Sequence, residues 1–348
     1  MTVLITGANG FLGRHLVAAL QERGERVRAL VLPTEDATWL RARDVAVSVG
    51  DIRCAESLRE PLRGVAGVFH LAGMMGVWRP LADYRAVNVA GTENVCRAAL
   101  AAGVSRLVHV SSWRVYGTGL MQPAHESCPP RPLYEPYSLT KVEGEQVVRR
   151  MILQDGLPAV ITRPDTFFGP GDWLHFGRLA DRLRTGKGVI IGSGLNAIPL
   201  AYVTDVVQGL LLALDHERAV GQTYNITNDQ TITQEGFMRA IAEEVGAKPP
   251  RVHLPYRALF AAALAAEGIA GLGGYRYRPF LTRLSVTLFG DNNQHAIDRA
   301  RQELGFVPRV SLREGVRLSA DWYREQRPSA SASPSRVADI PTKHADTA

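Results

Sequence analysis

The chain has 348 residues, 46% of them hydrophobic, with a formal net charge of +6 at pH 7; this is an ordinary globule long enough for one large domain or two joined ones. Its three cysteines, Cys54, Cys96 and Cys128, are odd in number and form no C-x-x-C pattern, which excludes a disulfide framework and a structural zinc site, so no metal is expected. The basic residues are scattered, with Arg149-Arg150 the tightest pair, which argues against nucleic acid and leaves solvated surface and anionic cofactor phosphates as reasons for the excess.

The opening Met1-Thr2-Val3-Leu4-Ile5 lacks a basic n-region, so it reads as a strand rather than a secretory signal, and a cytoplasmic setting is expected. Further strands are expected over 26–32, 45–49, 67–71, 106–111 and 159–162, with helical patterns between them. That alternation predicts an α/β fold, a doubly wound parallel sheet with helices on both faces, whose ligands bind beyond the carboxyl ends of the strands. The most apolar run, Ala258 to Gly273, is interrupted by Glu267 and is too short to span a bilayer; it is suited to covering a greasy pocket or to peripheral membrane contact.

The first strand ends in Thr6-Gly7-Ala8-Asn9-Gly10-Phe11-Leu12-Gly13 and opens a helix carrying Leu16, Val17 and Leu20. Glycines here let the backbone turn tightly and approach a pyrophosphate, whose charge meets the amides of a helix N-terminus. A glycine-rich turn without a ligand is the plain alternative, but the strand-loop-helix context favours a dinucleotide.

With its Gly-x-x-Gly-x-x-Gly spacing the chain resembles the extended short-chain dehydrogenase/reductase family, and later stretches agree: Gly50-Asp51-Ile52, Phe69-His70-Leu71-Ala72-Gly73 and Asn88-Val89-Ala90-Gly91-Thr92. The resemblance covers residues 1 to about 325 and implies a Rossmann-type cofactor domain. It places the cofactor on Gly7, Asn9, Gly10, Phe11, Leu12, Gly13, Asp51, Ile52, Leu71, Ala72, Asn88 and Pro164, together with Tyr137 and Lys141. The end of the second strand, Ala29-Leu30-Val31-Leu32-Pro33, carries no arginine for a 2′-phosphate, which favours NAD over NADP. Glu35 and Asp36 could serve a ribose, and Arg41, Arg43 or Arg53 a phosphate.

Tyr137-Ser138-Leu139-Thr140-Lys141 puts a tyrosine and a lysine on one helix face, one turn apart. A free tyrosine titrates near pH ~10, and a neighbouring cation is expected to lower that value. By itself this spacing is common on surface helices. The family resemblance adds the hydroxyl in Ser111-Ser112-Trp113-Arg114-Val115-Tyr116-Gly117, mapping its catalytic serine onto Ser112. It implies that Ser112 bonds the substrate oxygen, Tyr137 transfers the proton and Lys141 holds the ribose and stabilises phenolate, while hydride passes to or from the nicotinamide.

Sugar-nucleotide members of the family place polar groups where this chain has Thr166, Ile198 and, by a looser register, Asn293. An isoleucine in place of an arginine would leave a buried diphosphate unsatisfied. Family dehydratases carry an Asp-Glu pair where this chain has Trp113-Arg114. Apolar residues stand instead near the strand ends: Met74, Met75, Val77, Trp78, Trp113, Trp173 and Phe176. Met74, Trp78, Trp113, Thr166, Trp173 and Ile198 are therefore expected to line a pocket for a lipophilic substrate. The C-terminal stretches Arg278-Pro279-Phe280-Leu281-Thr282-Arg283 and 300–308 resemble the 3β-hydroxysteroid dehydrogenase-like branch. The expected activity is NAD(P)-dependent oxidation or reduction of a hydroxy or keto group on a sterol-like molecule or a β-hydroxy/β-keto acid. A nucleotide-sugar epimerase is the alternative; a catalytically silent dinucleotide sensor would lack one of the three catalytic residues, and all are present.

The expected division is a cofactor domain over 1–162 with 200–227 added back, a substrate domain over 163–199 and 228–325, and a disordered tail over 326–348. Family analogy also implies a homodimer, pairing through helices that start near Leu81 and Tyr137.

Overall fold

The computed structural model describes residues 1–276 and 278–326; apart from Gln326, the expected tail lies outside the described residues. Among the described residues there are eleven strands: β1 (Thr2–Thr6), β2 (Arg26–Val31), β3 (Ala46–Val49), β4 (Gly67–His70), β5 (Arg106–Val110), β6 (Ala159–Pro164), β7 (Thr166–Phe168), β8 (Ile190–Ile191), β9 (Leu200–Tyr202), β10 (Thr223–Ile226) and β11 (His253–Leu254). Seven of them form the central sheet in the order β10-β6-β5-β4-β1-β2-β3, every neighbouring pair parallel. The chain winds outward from β1 to β3, then crosses back so that β4 lies on the other side of β1. That reversal parts the loops following β1 and β4 and opens the crevice where ligands of such sheets bind.

The two-residue period of the strands explains why helices cover both faces. Val3 and Ile5 face one way, into a core with Leu16, Val17 and Leu20 of the Phe11–Glu22 helix and Val206 and Leu210 of the Val203–Asp215 helix. Leu4 faces the other way, toward Val95 and Ala99 of the Thr92–Ala101 helix and Val148 and Met151 of the Pro136–Asp155 helix. Each fully buried aliphatic side chain contributes about 1.5–3 kcal/mol, so both layers are held by the sheet they sandwich.

A third core gathers Phe168, Phe176, Leu183, Ile198, Phe237 and Ile241 with Val316, Ala320 and Tyr323 of the C-terminal Leu312–Glu325 helix. Strand β9 belongs to this core through its pairing with β7, although it falls in the 200–227 segment expected on the cofactor side. Conversely, Ile297, Ala300, Leu304 and Phe306 pack into the first core. The apolar run near residue 258 forms the Tyr256–Leu272 helix, of which only Ala263 is fully buried while Leu264, Ile269 and Leu272 are exposed. Among the described residues no helix is long and apolar enough to cross a membrane.

Candidate active site

The last residues of β5 and the first turn of the Pro136–Asp155 helix meet at the carboxyl edge of the sheet. Ser112 caps the short turn Trp113–Tyr116, its Oγ accepting a hydrogen bond from the Arg114 amide at 3.3 Å. Across from it, Pro136 pre-sets the first helical turn, and the buried carboxylate of Glu135 accepts from the amides of Tyr137 at 2.9 Å and Ser138 at 2.7 Å. The cap fixes the turn that carries Tyr137. One turn later Lys141 places Nζ 2.9 Å from the Val110 carbonyl and 5.9 Å from the centre of the Tyr137 ring. The Ser112 hydroxyl lies near enough to the Tyr137 phenol to favour its ionised form. All three side chains are buried.

Burial sets the electrostatics. It raises the Tyr137 phenol above its ordinary value, assisted by Glu135 and opposed by the Ser112 hydroxyl and the Arg114 charge. The lysine-lowered phenol expected from the spacing is therefore not the state of the free protein: desolvation outweighs the neighbouring groups. Burial also brings Lys141 down to about 8, with Glu145 pulling the other way. Beneath Lys141, burial holds His70 down to about 3 and His109 well below its ordinary value, so both are neutral. His70 bridges Thr6 Oγ1 at 2.8 Å and Thr92 Oγ1 at 3.0 Å, pinning β1 to the Thr92–Ala101 helix.

A cleft of about 280 Å³ opens over this cluster. Its walls include the expected Gly7, Gly10, Phe11, Leu12, Gly13, Leu71, Pro164, Trp113 and Thr166 along with Ser112, Tyr137 and Lys141. The glycine loop packs too tightly for side chains: a Cβ on Gly13 would lie 2.3 Å from the Gly7 carbonyl oxygen, and Gly7 has φ +75° with Ala72 N only 2.9 Å from where its Cβ would be. Gly10 caps the Phe11–Glu22 helix with no side-chain hydrogen bond, so its first amides are left for an anion. These residues fit a dinucleotide pyrophosphate.

Other expected residues stand behind or beside the cleft. Asn88 accepts from the Met74 amide at 2.7 Å and donates to the Met74 carbonyl at 3.1 Å and to Thr140 at 3.0 Å, tying the loop after β4 to the Tyr137 helix. Asn9 donates to the Asp36 carbonyl at 2.9 Å, Asp51 pairs with Arg53, and Ile52 is buried in the second core; Ala72 approaches the glycine loop with its backbone.

The expected substrate pocket needs correction at four positions. Met75, rather than Met74, lines the cleft. Trp78 lines a neighbouring cavity, its ring 5.4 Å from Tyr275. Trp173 turns away, half exposed, onto Trp322 at 4.8 Å, and Ile198 belongs to the third core, where it lines a small cavity that shares Thr166, His175 and Leu288 with the cleft. In loops no period fixes which way a side chain points, so adjacency to a strand end did not determine these directions. Residues on the cleft wall that sequence reasoning did not assign to the pocket include Arg114, Asp165, Leu174, His175, Leu284 and Leu288. Leu284 and Leu288 stand at i and i+4 in the Arg283–Gly290 helix, a spacing that signals a shared apolar face. Asp165 Oδ1 lies 2.6 Å from His295 Nδ1, whose ring stacks 5.3 Å from that of Tyr116.

The NAD dependent epimerase/dehydratase family matches residues 3–227. The chain belongs to this family. Within it, the chain is an extended short-chain dehydrogenase/reductase and an oxidoreductase. It is 32% identical to a 4-hydroxy-2-methyl-3-oxo-4-farnesyl-3,4-dihydroquinoline-1-oxide ketoreductase of Stigmatella aurantiaca, over 91% of this chain and 95% of that one. Identity to a 2-alkyl-3-oxoalkanoate reductase of Stenotrophomonas maltophilia is 30%, over 91% and 98%. Sterol demethylase protein B of Methylococcus capsulatus is 32% identical over 94% and 99%. Among solved structures, that of gox2253 is 31% identical and superposes with a TM-score of 0.79 over 93% of this chain and 98% of that one.

Proposed function

We propose that this enzyme carries out one reversible hydride transfer at the hydroxy or keto carbon of a lipophilic substrate, of the β-hydroxy/β-keto acid or 3β-hydroxysteroid kind, with NAD as coenzyme. The observation that carries this reading is a Ser112-Tyr137-Lys141 cluster whose cleft is also lined by the apolar Met75, Trp113, Leu174, Leu284 and Leu288. Relatives named for ketoreduction of a farnesylated quinoline and of alkyl oxoalkanoates, and one named for sterol demethylation, support the lipophilic class. Glu35 and Asp36, just beyond β2, support NAD: carboxylates there suit ribose hydroxyls and repel a 2′-phosphate.

Gly7, Gly10 and Gly13 would hold the pyrophosphate and Lys141 the nicotinamide-side ribose. The coenzyme supplies or accepts the hydride. Ser112 orients the substrate oxygen through its hydroxyl, and Tyr137 gives or takes the proton at that same oxygen. Lys141 opposes the rise that burial imposes on the phenol when negative charge develops there. Trp113, Leu284 and Leu288 exclude water from the reacting carbon. A diphosphate arginine is replaced by the core residue Ile198, which weighs against a nucleotide-sugar substrate.

Tyr137→Phe removes only the phenolic oxygen. Turnover should fall ~10²–10⁴-fold, the usual contribution of a positioned acid or base, while NADH affinity measured by fluorescence stays within a few-fold. Turnover unchanged across a panel of sterols, β-hydroxy acids and aryl alcohols would sink the assignment, and calorimetric binding of a UDP-sugar would turn it toward the epimerases. The cofactor and substrate parts each draw on the other's cores, and we propose that they move as one unit, with two copies pairing through the helices that start at Leu81 and Pro136; light scattering that finds a monomer at micromolar concentration removes the second statement.

A further inference from the structure

We infer that Arg114 is the anchor for a carboxylate on the substrate, which narrows the substrate class to lipophilic hydroxy or oxo acids. This rests on the oxidoreductase reading above and adds a charge requirement to it.

Arg114 lines the cleft directly beside Ser112, yet it is only 4% exposed. A guanidinium has five N–H donors and cannot shed its charge, so burying one demands partners. Here no described carboxylate lies within ion-pair distance of it. Its two terminal nitrogens share a single hydroxyl, Thr287 Oγ1, at 3.3 and 3.4 Å, and its Nε is buried with no partner. The face of Trp113, with its ring centre 4.8 Å away, offers the remaining compensation. Two acids influence it at longer range, but both are committed elsewhere. Glu135 caps the Tyr137 helix, and Asp291 Oδ2 accepts from the Tyr256 hydroxyl at 2.9 Å. Burial without a counter-ion lowers the arginine's proton affinity, the direction expected of a cation waiting for its partner.

The planar fork of Arg114 matches a carboxylate in bidentate geometry. Its amide already donates to Ser112 Oγ, so the residue that holds the reacting oxygen and the residue that would hold the acid share one turn. An acid whose carboxylate is a few bonds from the hydroxy or keto carbon satisfies both at once, and its tail then meets Leu284, Leu288, Met75 and Leu174. A neutral sterol would leave the buried charge unpaired. A purely structural role, joining the Arg283–Gly290 helix to the turn through Thr287, leaves Nε unexplained.

The test compares 3-hydroxydodecanoate with its methyl ester, which lacks the charge and differs otherwise by one methyl group. With NAD-saturated enzyme, calorimetry should give the acid at least ~10-fold tighter binding than the ester, the scale of a charge-assisted bidentate contact, and kcat/KM should follow the same order. In Arg114→Gln the acid-to-ester ratio should drop toward one, mainly through KM for the acid; Arg114→Lys, which keeps the charge without the fork, should retain part of it. Loss of thermal stability in either variant does not bear on the ratio. Wild-type enzyme that binds acid and ester within threefold, or binds neither, overturns the inference, as does an Arg114→Gln variant that loses both ligands equally. Arg114-dependent acid binding with no hydride transfer would leave the anchor standing and overturn the oxidoreductase reading on this substrate class.

Discussion

Replacing Lys141 with methionine should stabilise the coenzyme-free protein at neutral pH while abolishing its activity. Lys141 is buried, the acid that acts on it, Glu145, is held by Arg163, and burial brings its ammonium from the ordinary 10.5 to about 8. Below pH 8 the lysine is protonated in both native and unfolded chains, and the native state bears the full desolvation cost. Between 8 and 10.5 the unfolded chain binds more protons than the native one, so the stability of the wild type rises with pH across that window. At about 1.36 kcal/mol per unit the cost amounts to ~3 kcal/mol. Methionine removes it but leaves the Val110 carbonyl without its 2.9 Å donor, a loss of about 1 kcal/mol, so the net gain at pH 7 is ~2 kcal/mol. Urea unfolding of both proteins at pH 7 and pH 10 measures this. The advantage of the variant should shrink by about 2–3 kcal/mol on going to pH 10, since His70 and His109, on which the Lys141 charge also acts, are neutral throughout that window. A stability difference that does not change with pH would refute the reasoning.

In Gly13→Ala the new methyl group would meet the Gly7 carbonyl oxygen at 2.3 Å and backbone of Ala8 at 2.7 Å, which no side-chain adjustment relieves, so NADH affinity by fluorescence titration should fall by at least ~10-fold. The buried Arg163-Glu145 pair, joined at 2.8 and 2.6 Å and extended through Tyr116 to Asn225, ties β6 to the Tyr137 helix. Glu145→Gln should cost about 3–5 kcal/mol in urea unfolding because it strands the arginine, and the double variant Glu145→Leu/Arg163→Met should recover most of that loss. The Tyr137→Phe experiment above completes the set.

Much of the fold was legible because periodicity encodes it. Short β-branched runs alternating with amphipathic helices require a parallel sheet covered on both faces, and Val3, Leu4 and Ile5 point where a two-residue period sends them. Gly7 and Gly13 were readable for the same kind of reason: each stands where backbone approaches backbone and only glycine fits. Tyr137 and Lys141 needed nothing beyond helix geometry to share a face, with Glu135 and Pro136 marking where that helix begins.

Tertiary structure alone decided what surrounds that pair. The return of β4 to the far side of β1 opens the crevice, and pairing between strands distant in sequence is not written in either strand. Loops have no period, so Trp173 stood near a strand end in sequence yet turns to Trp322, Ile198, placed by family register, packs in a core, and Met75 replaces Met74 at the wall. The charge state of the site was equally hidden. Burial raises Tyr137, lowers Lys141 and leaves Arg114 without a counter-ion among the described residues, and burial is a property of the packed chain rather than of any residue along it. The sequence by itself determined the sheet, the glycine loop and the Tyr-Lys turn, because local period and backbone sterics act over a few residues. The pocket and its electrostatics came from contacts between segments more than a hundred residues apart, such as Arg114 with Thr287, which only folding brings together.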